Sequence, residues 1–225
     1  FIFSFNQFFL NVFPIFIPLF EKNGQISIID KYVWAESARQ IAAWRDKFGV
    51  TVFVDNNANA AAVGCYMQSD AYDSVTLHTQ QVGYLVGGQG TVVNGHLLRG
   101  RRGMAGELGA LNRRLILEGG LHLGTVEPVD PHDYEAMVRA DIPWRADRML
   151  PVLATMLLSN IVVAAPDAIY LSYDLIDDMD ALRAELAKNL DEEYLPDLIH
   201  VTDYHEKIFL GEMALVLQRL ANPHA

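Results

Sequence analysis

The chain has 225 residues, 51% of them apolar, and its 28 acidic and 17 basic side chains give a formal net charge of −11. The apolar share is ample for a buried core in one large domain or two small ones. The acidic balance argues against a nucleic-acid surface in these residues, because phosphate binding needs a basic patch. The single cysteine, Cys65, excludes an intramolecular disulfide and a zinc site made of several cysteines. It lies in a predicted buried helix, which favours a packed thiol over a nucleophile.

The first twenty residues begin with Phe1 and are dense in Phe, Ile, Leu and Val. They lack the basic start and the small-residue cleavage site of a signal peptide. Pro14, Pro18 and three amide side chains interrupt them in a way that a membrane helix tolerates poorly. We therefore expect buried strand material, including a core strand over residues 15–18, in a chain that is a fragment. Nothing indicates secretion, so we expect a cytoplasmic protein without a membrane partner.

A hairpin and then a helix are predicted next. Asn23-Gly24 favours a tight turn into a strand over residues 25–29. The following helix ends at Gly49, a typical C-terminal cap, and its apolar positions have helical spacing. These positions are Ile41, Trp44 and Phe48.

Residues 51–54 predict a short, apolar strand of the buried kind. The polar corner Asp55-Asn56-Asn57 follows it and leads into an alanine-rich helix that runs through Met67. A strand, a polar corner and a helix in this order place side chains at the carboxyl edge of a sheet. Ligands of open α/β folds bind at that edge, so the corner is a candidate site.

The glycine-rich stretch over residues 82–110 is the most distinctive part of the sequence. A strand over residues 75–79 precedes it, and Asn94-Gly95 tolerates the positive φ of a tight turn between two short strands. Gly87, Gly88 and Gly90 let the backbone approach a neighbour closely, while further glycines hold Glu107 in a tight polar loop. Two interpretations stay open: a small-molecule site, and a tightly turned β-meander with a surface glutamate.

Beyond residue 143 helices and strands alternate, which supports an α/β class. Between residues 111 and 143 only a short helix over 133–139 is predicted. The later predicted elements begin with a helix over 146–165 that ends before Pro166, and they include strands over 168–171 and 198–201. Between these strands a helix is marked by Met179, Leu182, Leu186 and Leu190. The apolar positions of the closing helix are Ile208, Phe209, Met213, Val216, Leu217 and Leu220.

Three segments of this sequence resemble the ROK family of sugar kinases and sugar-responsive repressors. They are residues 54–64 (VDNNANAAAVG), 94–100 (NGHLLRG) and 105–109 (AGELG), at the family's spacing. The resemblance runs from about residue 15 to the C-terminus and weakens after Leu111. It implies an α/β fold with actin/hexokinase-type (ribonuclease H-like) lobes. Residues 1–50 would be a remnant of the first lobe and the crossover, and residues 51–225 the larger effector-binding and dimerisation lobe of a homodimer.

The resemblance also implies a sugar site at the corner. ROK kinases use an Asn that binds the sugar and an Asp that removes the proton from the attacking hydroxyl; these positions are Asn56 and Asn57 here. A carboxamide cannot accept that proton, so Asn57 can bind a hydroxyl but cannot be a general base. Asp55 lies one residue early, and its side chain should point the other way. Glu107 matches the family's sugar-binding glutamate, so the predicted ligand-binding residues are Asn56, Asn57 and Glu107, with no catalytic residue.

Metal binding is not predicted. The family's histidine, which holds the sugar and often a zinc ion, is replaced by Ala110, and the family's cysteine-rich zinc loop has no counterpart. His122 and His132, without thiols or a placed carboxylate, make a weak metal site. Glu118 and Glu127 both remain as alternatives for the family's second sugar-binding glutamate.

The family's nucleotide contacts are changed too, and no cofactor is predicted. The phosphate loop falls on residues 84–90 and keeps only Gly88 and Gly90 as a remnant. Tyr84, Leu85 and Val86 put bulky side chains where bare backbone N–H groups should cradle phosphates. The family's later glycine pair is Ser172-Tyr173 here, which would crowd an adenosine.

The leading hypothesis is the ligand-sensing part of a ROK-type transcriptional regulator that binds a sugar or sugar-phosphate effector without phosphorylating it. DNA would be contacted only through a helix-turn-helix that is absent from this chain. Two alternatives stay open: an ATP-dependent ROK sugar kinase with unusual residues, and a non-catalytic sugar-binding protein. Losing the phosphate cradle and the base together should abolish phosphoryl transfer, which argues against an enzyme.

Overall fold

The computed structural model describes residues 26–80, 88–107, 150–173 except 152, and 178–221. The chain divides into two compact units, a first unit up to Val54 and a second unit from Asp55 onwards. Among the described helices, none combines the length and apolar character that a membrane span requires. Several predictions lie outside the described residues: the strand over 15–18, the turn at 23–24, Gly87 and the phosphate-loop positions 84–86, the helix over 133–139, Ala110, Glu118, His122, Glu127 and His132.

Helix α1 (Ile26–Phe48) is the main described element of the first unit. The prediction of a strand over residues 25–29 is wrong, because α1 already covers residues 26–29. Ile26, Ile29 and Val33 have the spacing of three and four residues that favours a helix, and they extend the pattern of the predicted helix towards the N-terminus. Gly49 caps α1 as predicted, with φ +62° and its N–H donating to the Arg45 carbonyl at 2.9 Å.

The predicted buried strand over residues 51–54 is also absent from the described structure. These residues have no regular secondary structure, and the Val54 side chain is 65% exposed. An apolar run becomes a strand only when a neighbour completes its hydrogen-bond ladder, and the described sheet does not include these residues.

The second unit contains a mixed sheet, whose described strands are β1 (Ser74–Gln80), β2 (Gly88–Val93), β3 (His96–Leu97), β4 (Ala168–Tyr173) and β5 (Asp197–His200). They lie in the order β3-β2-β1-β4-β5. Strand β1 pairs antiparallel with β2 and parallel with β4, β2 pairs antiparallel with β3, and β4 pairs parallel with β5. In chain order, the elements of this unit are α2 (Asn57–Met67), β1 (Ser74–Gln80), β2 (Gly88–Val93), β3 (His96–Leu97), α3 (including 153–164), β4 (Ala168–Tyr173), α4 (Met179–Leu186), β5 (Asp197–His200) and α5 (Tyr204–Ala221).

The predicted hairpin is confirmed. Strands β2 and β3 pair Val92 with Leu97 and Val93 with His96, which leaves Asn94 and Gly95 as a two-residue turn. Both turn residues have positive φ, 49° and 76°, as a type I′ turn requires.

Helices cover both faces of this sheet, so the predicted α/β class is confirmed. On β1, Val75 and Leu77 join the core formed with α2 and α5. On the other face, Ile169 and Leu171 of β4 pack in a second core with α3 and α4. The buried residues that α3 and α4 give to this core are Leu153, Ala154, Met156, Leu157, Ile161, Leu182 and Leu186.

Helices α2 and α5 approach each other closely because small residues line their contact. A Cβ atom added to Gly211 would lie 1.7 Å from the Ala60 carbonyl oxygen, and one added to Gly64 would lie 2.0 Å from the Lys207 carbonyl oxygen. This packing fixes α2, and the first turn of α2 carries the predicted sugar-binding corner. Of the apolar positions predicted on the closing helix only Ile208 is buried; the exposed ones are Phe209, Met213, Val216, Leu217 and Leu220.

Candidate functional site

The predicted corner is the N-terminus of α2. Asn56 is the N-cap residue: its φ and ψ are −78° and 139°, and its Oδ1 accepts a hydrogen bond of 2.7 Å from the Ala58 N–H. Asparagine is among the preferred residues at this position because its side chain satisfies an N–H group that the helix leaves unpaired. Asn57, the first residue of α2, is exposed beside it.

Asp55 is the first residue of the corner, and its carboxylate is surrounded by hydrogen-bond donors. Its Oδ2 is 2.5 Å from Nη2 of Arg99, and its Oδ1 accepts hydrogen bonds from the Asn56 N–H at 2.9 Å and from Asn59 Nδ2 at 3.1 Å. Burial by itself raises the pKa of Asp55, but the hydrogen bonds from Arg99, Asn59 and Asn56, with the charge of Arg99, bring that pKa below its usual value. An ionised carboxylate with a low pKa and three donors is a poor proton acceptor.

Glu107 faces the same corner from the loop after the hairpin. Asn56 Nδ2 lies 3.5 Å from Glu107 Oε1, at the long limit of a hydrogen bond, and both side chains are exposed. The structure therefore brings two of the predicted ligand-binding residues together across 51 positions of sequence. A sugar hydroxyl, which both donates and accepts, could bridge such a loosely joined amide and carboxylate.

Glycines hold the Glu107 loop against the sheet. A Cβ atom added to Gly106 would lie 2.1 Å from the Gln89 carbonyl oxygen of β2, and Gly106 has a φ of 84°. Only glycine allows this close approach together with that backbone conformation. The packing of Gly106 against β2 therefore sets the position of the adjacent Glu107.

Gly88 and Gly90, the predicted phosphate-loop remnant, lie on β2 and pack against the first turns of α2. A Cβ atom added to Gly90 would be 2.5 Å from the Ala58 carbonyl oxygen and 2.8 Å from Ala62 Cβ, and one added to Gly88 would be 3.0 Å from Ala58 Cβ. The sequence predicts that the backbone at these glycines approaches a neighbour closely, and in the structure that neighbour is α2.

Two buried residues that sequence reasoning did not connect lie on the other face of the sheet. The Tyr173 hydroxyl is 2.6 Å from His78 Nδ1, and both rings are buried. Burial lowers the pKa of His78 to about 4, and His78 Nε2 has no hydrogen-bond partner among the described residues. The Tyr173 ring fills part of the core on this face. Alternation along β1 places His78 on the face opposite Leu77, but it does not indicate that this face is buried as well.

The described residues contain no group of three or more His, Cys, Asp or Glu side chains that could hold a metal ion. Cys65 is a free thiol, 1% exposed, in the core beneath α5, as its position in a buried helix predicted. Burial raises the pKa of Cys65 to about 12, so the thiol stays protonated and unreactive at neutral pH.

The fold is that of sugar kinases of the ROK type. The Lmo2764 protein of Listeria monocytogenes, a candidate N-acetylmannosamine kinase, has a TM-score of 0.59 at 19% identity over 80% of this chain and 70% of its own. A ROK family glucokinase from Streptomyces griseus, solved with glucose and AMPPNP, has a TM-score of 0.54 at 21% identity over 77% and 70% of the two chains. A ROK family protein from Streptococcus pneumoniae TIGR4, solved with sucrose, has a TM-score of 0.53 at 19% identity over 78% and 71%.

One family model matches part of the sequence. Residues 13–115, which include the corner and the Glu107 loop, match the family model of the ROK family. The resemblance predicted from the motifs is thereby confirmed. No curated protein sequence matches the chain significantly.

Proposed function

We propose that this chain binds a sugar or sugar derivative at a site formed by Asn56, Asn57 and Glu107 and does not phosphorylate it. The observation that carries the proposal is that Asn57 stands at the family's base position while the adjacent carboxylate, Asp55, is bound by Arg99 at 2.5 Å. The corner offers hydrogen bonds to hydroxyl groups, but it offers no side chain suited to removing their protons.

The chemistry of phosphoryl transfer supports this reading. Most of its catalysis is positioning and charge neutralisation, but a residue must still orient the attacking hydroxyl and take its proton. The Asn57 amide can orient a hydroxyl and cannot take the proton. A proton on Asp55 would cancel the charge that pairs with Arg99 and would weaken the hydrogen bonds from Asn56 and Asn59. That cost favours binding without catalysis.

A regulator is the form of this function that we favour. ROK repressors resemble this chain in the same motifs, and a sugar held between two elements would shift a conformational equilibrium by its difference in affinity for the two states. In this reading the chain is a cytoplasmic homodimer whose DNA contacts are made by a helix-turn-helix outside these residues. A sugar-binding protein with no DNA-binding domain would use the same site.

An ATP-dependent sugar kinase is the second candidate. The observation in its favour is the likeness in fold to a glucokinase solved with glucose and AMPPNP. The two candidates differ in one measurable quantity, which is the release of ADP that depends on sugar.

The test compares binding with turnover in the same preparation. Isothermal titration calorimetry with glucose, sucrose and N-acetylmannosamine measures binding, and a coupled assay with ATP and magnesium measures ADP release. We expect heat of binding with at least one sugar, its loss in Glu107→Gln, and ADP release no faster with that sugar than without it. Sugar-dependent ADP release that Glu107→Gln abolishes would contradict the proposal and establish the kinase.

A further inference from the structure

Both ends of one loop contact the predicted sugar-binding corner. At its start, Arg99 forms an ion pair with Asp55; at its end, Glu107 lies beside the Asn56 side chain. Between them the loop is braced by its own backbone, since the Ala105 N–H donates to the Arg99 carbonyl at 3.1 Å and the Glu107 N–H to the Met104 carbonyl at 3.3 Å. The two contacts differ greatly in strength. The Arg99 contact is a charge-assisted hydrogen bond of 2.5 Å, whereas the Asn56–Glu107 contact is 3.5 Å long and exposed.

The Arg99 contact reaches the ligand-binding amide through Asp55. One oxygen of Asp55 receives Arg99, and the other receives the backbone N–H of Asn56 and the side-chain amide of Asn59. The Asp55 side chain is only 17% exposed, so it cannot replace these donors with water in full. Its orientation therefore sets the position of the Asn56 backbone.

The orientation of the Asn56 side chain is then fixed from two sides. Its Oδ1 is occupied by the Ala58 N–H as the cap of α2, so Nδ2 is the part of the amide that points towards Glu107. A sugar hydroxyl inserted between Nδ2 and the Glu107 carboxylate would find a donor on one side and an acceptor on the other. Small errors in the Asn56 position would misalign this pair, because hydrogen bonds weaken steeply away from linear geometry.

We propose that Arg99 is a positioning residue of the sugar site: it holds Asp55, and Asp55 holds Asn56 with its side-chain amide directed at Glu107. The inference rests on the proposed function, because it concerns the sugar that would bind there. It goes further in assigning a role to a residue that need not touch the sugar. It also explains how Asp55 is kept from the ligand, which leaves Glu107 as the carboxylate that receives hydroxyl groups.

The test has one arm without ligand and one with it. In ligand-free, 15N-labelled protein, the backbone and side-chain amide signals of Asn56 report its environment directly. We expect Arg99→Met to shift both signals, and Arg99→Lys, which keeps the charge, to restore them in part. Arg183→Met is the matched control: Arg183 forms an ion pair of 2.6 Å with Glu192 and is similarly exposed, 34% against 38% for Arg99. It should leave the Asn56 signals in place.

The second arm is calorimetry with glucose, sucrose and N-acetylmannosamine. For a sugar that binds, we expect Arg99→Met to weaken binding by about tenfold, Arg99→Lys by less, and Arg183→Met not at all. Asp55→Asn should also weaken binding, and adding Arg99→Met to it should cost little more, because both variants break one chain of contacts. Circular dichroism confirms that each variant is folded, and Asp55→Asn tests the same chain if Arg99→Met does not fold.

The outcomes separate the two proposals. If the Asn56 signals and the sugar affinity of Arg99→Met match those of the unaltered protein, Arg99 is an ordinary surface ion pair and the inference is wrong. If the unaltered protein binds none of the three sugars, the proposed function fails for them. The ligand-free arm then still decides whether Arg99 positions Asn56.

Discussion

Acid should destabilise this protein through His78. The imidazole is 0% exposed and contacts the Tyr173 hydroxyl at 2.6 Å, and burial lowers its pKa from 6.5 to about 4. Because the folded-state pKa is the lower one, the unfolded chain takes up the proton first. Stability is therefore fully present above pH 6.5 and falls as the pH decreases towards 4.

The magnitude follows from the gap between the two pKa values. The difference between 6.5 and about 4 corresponds to about 3 kcal/mol in the free energy of unfolding, of which about 2 kcal/mol is lost between pH 7.5 and pH 5. Folded domains are commonly stable by 5–15 kcal/mol, so this loss is a large fraction of the total.

Urea unfolding at pH 7.5 and pH 5, followed by circular dichroism, measures the loss. His78→Gln keeps an amide that can pair with Tyr173 and removes the titration, so its loss over this range should be smaller by about 2 kcal/mol. His96→Gln, at an exposed position of the hairpin, is the matched control and should behave like the unaltered protein. Equal losses in His78→Gln and the unaltered protein would refute the reasoning, because other groups would then account for the acid sensitivity.

Three further predictions concern the backbone and packing of the second unit. Gly211→Ala should lower the free energy of unfolding by about 2 kcal/mol, because its Cβ would lie 1.7 Å from the Ala60 carbonyl oxygen. This overlap outweighs the better helix propensity of alanine. Urea unfolding measures the loss, with Glu206→Ala on the exposed side of α5 as the control. Gly95→Ala should cost about 1 kcal/mol in the same assay, since its φ of 76° disfavours a side chain; an unchanged midpoint would mean that the turn adopts another conformation. Cys65, whose pKa is raised to about 12 by burial, should react with a thiol reagent at neutral pH only as fast as the protein opens; rapid labelling in native buffer would contradict its burial.

The sequence predicts best those features whose causes are local. The N-terminus of α2 follows from an asparagine cap before an alanine-rich run, and the hairpin follows from Asn94-Gly95, whose backbone preference is a property of two residues. The motif resemblance adds Asn56 and Glu107, and the structure indeed brings these two side chains within 3.5 Å of each other.

Features that depend on distant partners could not be predicted. Asp55 and Arg99 are 44 positions apart, and His78 and Tyr173 are 95 positions apart, so neither pairing leaves a signal in a single sequence. The same reason explains the wrong strand over residues 51–54, because an apolar run carries no record of whether a neighbouring strand will complete its ladder. The wrong strand over residues 25–29 has a different cause: Asn23-Gly24 favours a turn into a strand, but the residues after it have the helical spacing that continues into α1.

The central claim is that the site formed by Asn56, Asn57 and Glu107 binds a sugar without phosphorylating it. The most direct measurement is a thermal-shift experiment on the unaltered protein and Glu107→Ala, with sugars, sugar phosphates and ATP–magnesium as separate ligands. A ligand that binds the folded state raises the melting temperature according to the ratio of its concentration to its dissociation constant. The account predicts a rise with a sugar or sugar phosphate that Glu107→Ala abolishes, and no rise with ATP–magnesium. No rise with any sugar or sugar phosphate, or an equal rise in Glu107→Ala, would contradict it, and a clear rise with ATP–magnesium would favour the kinase.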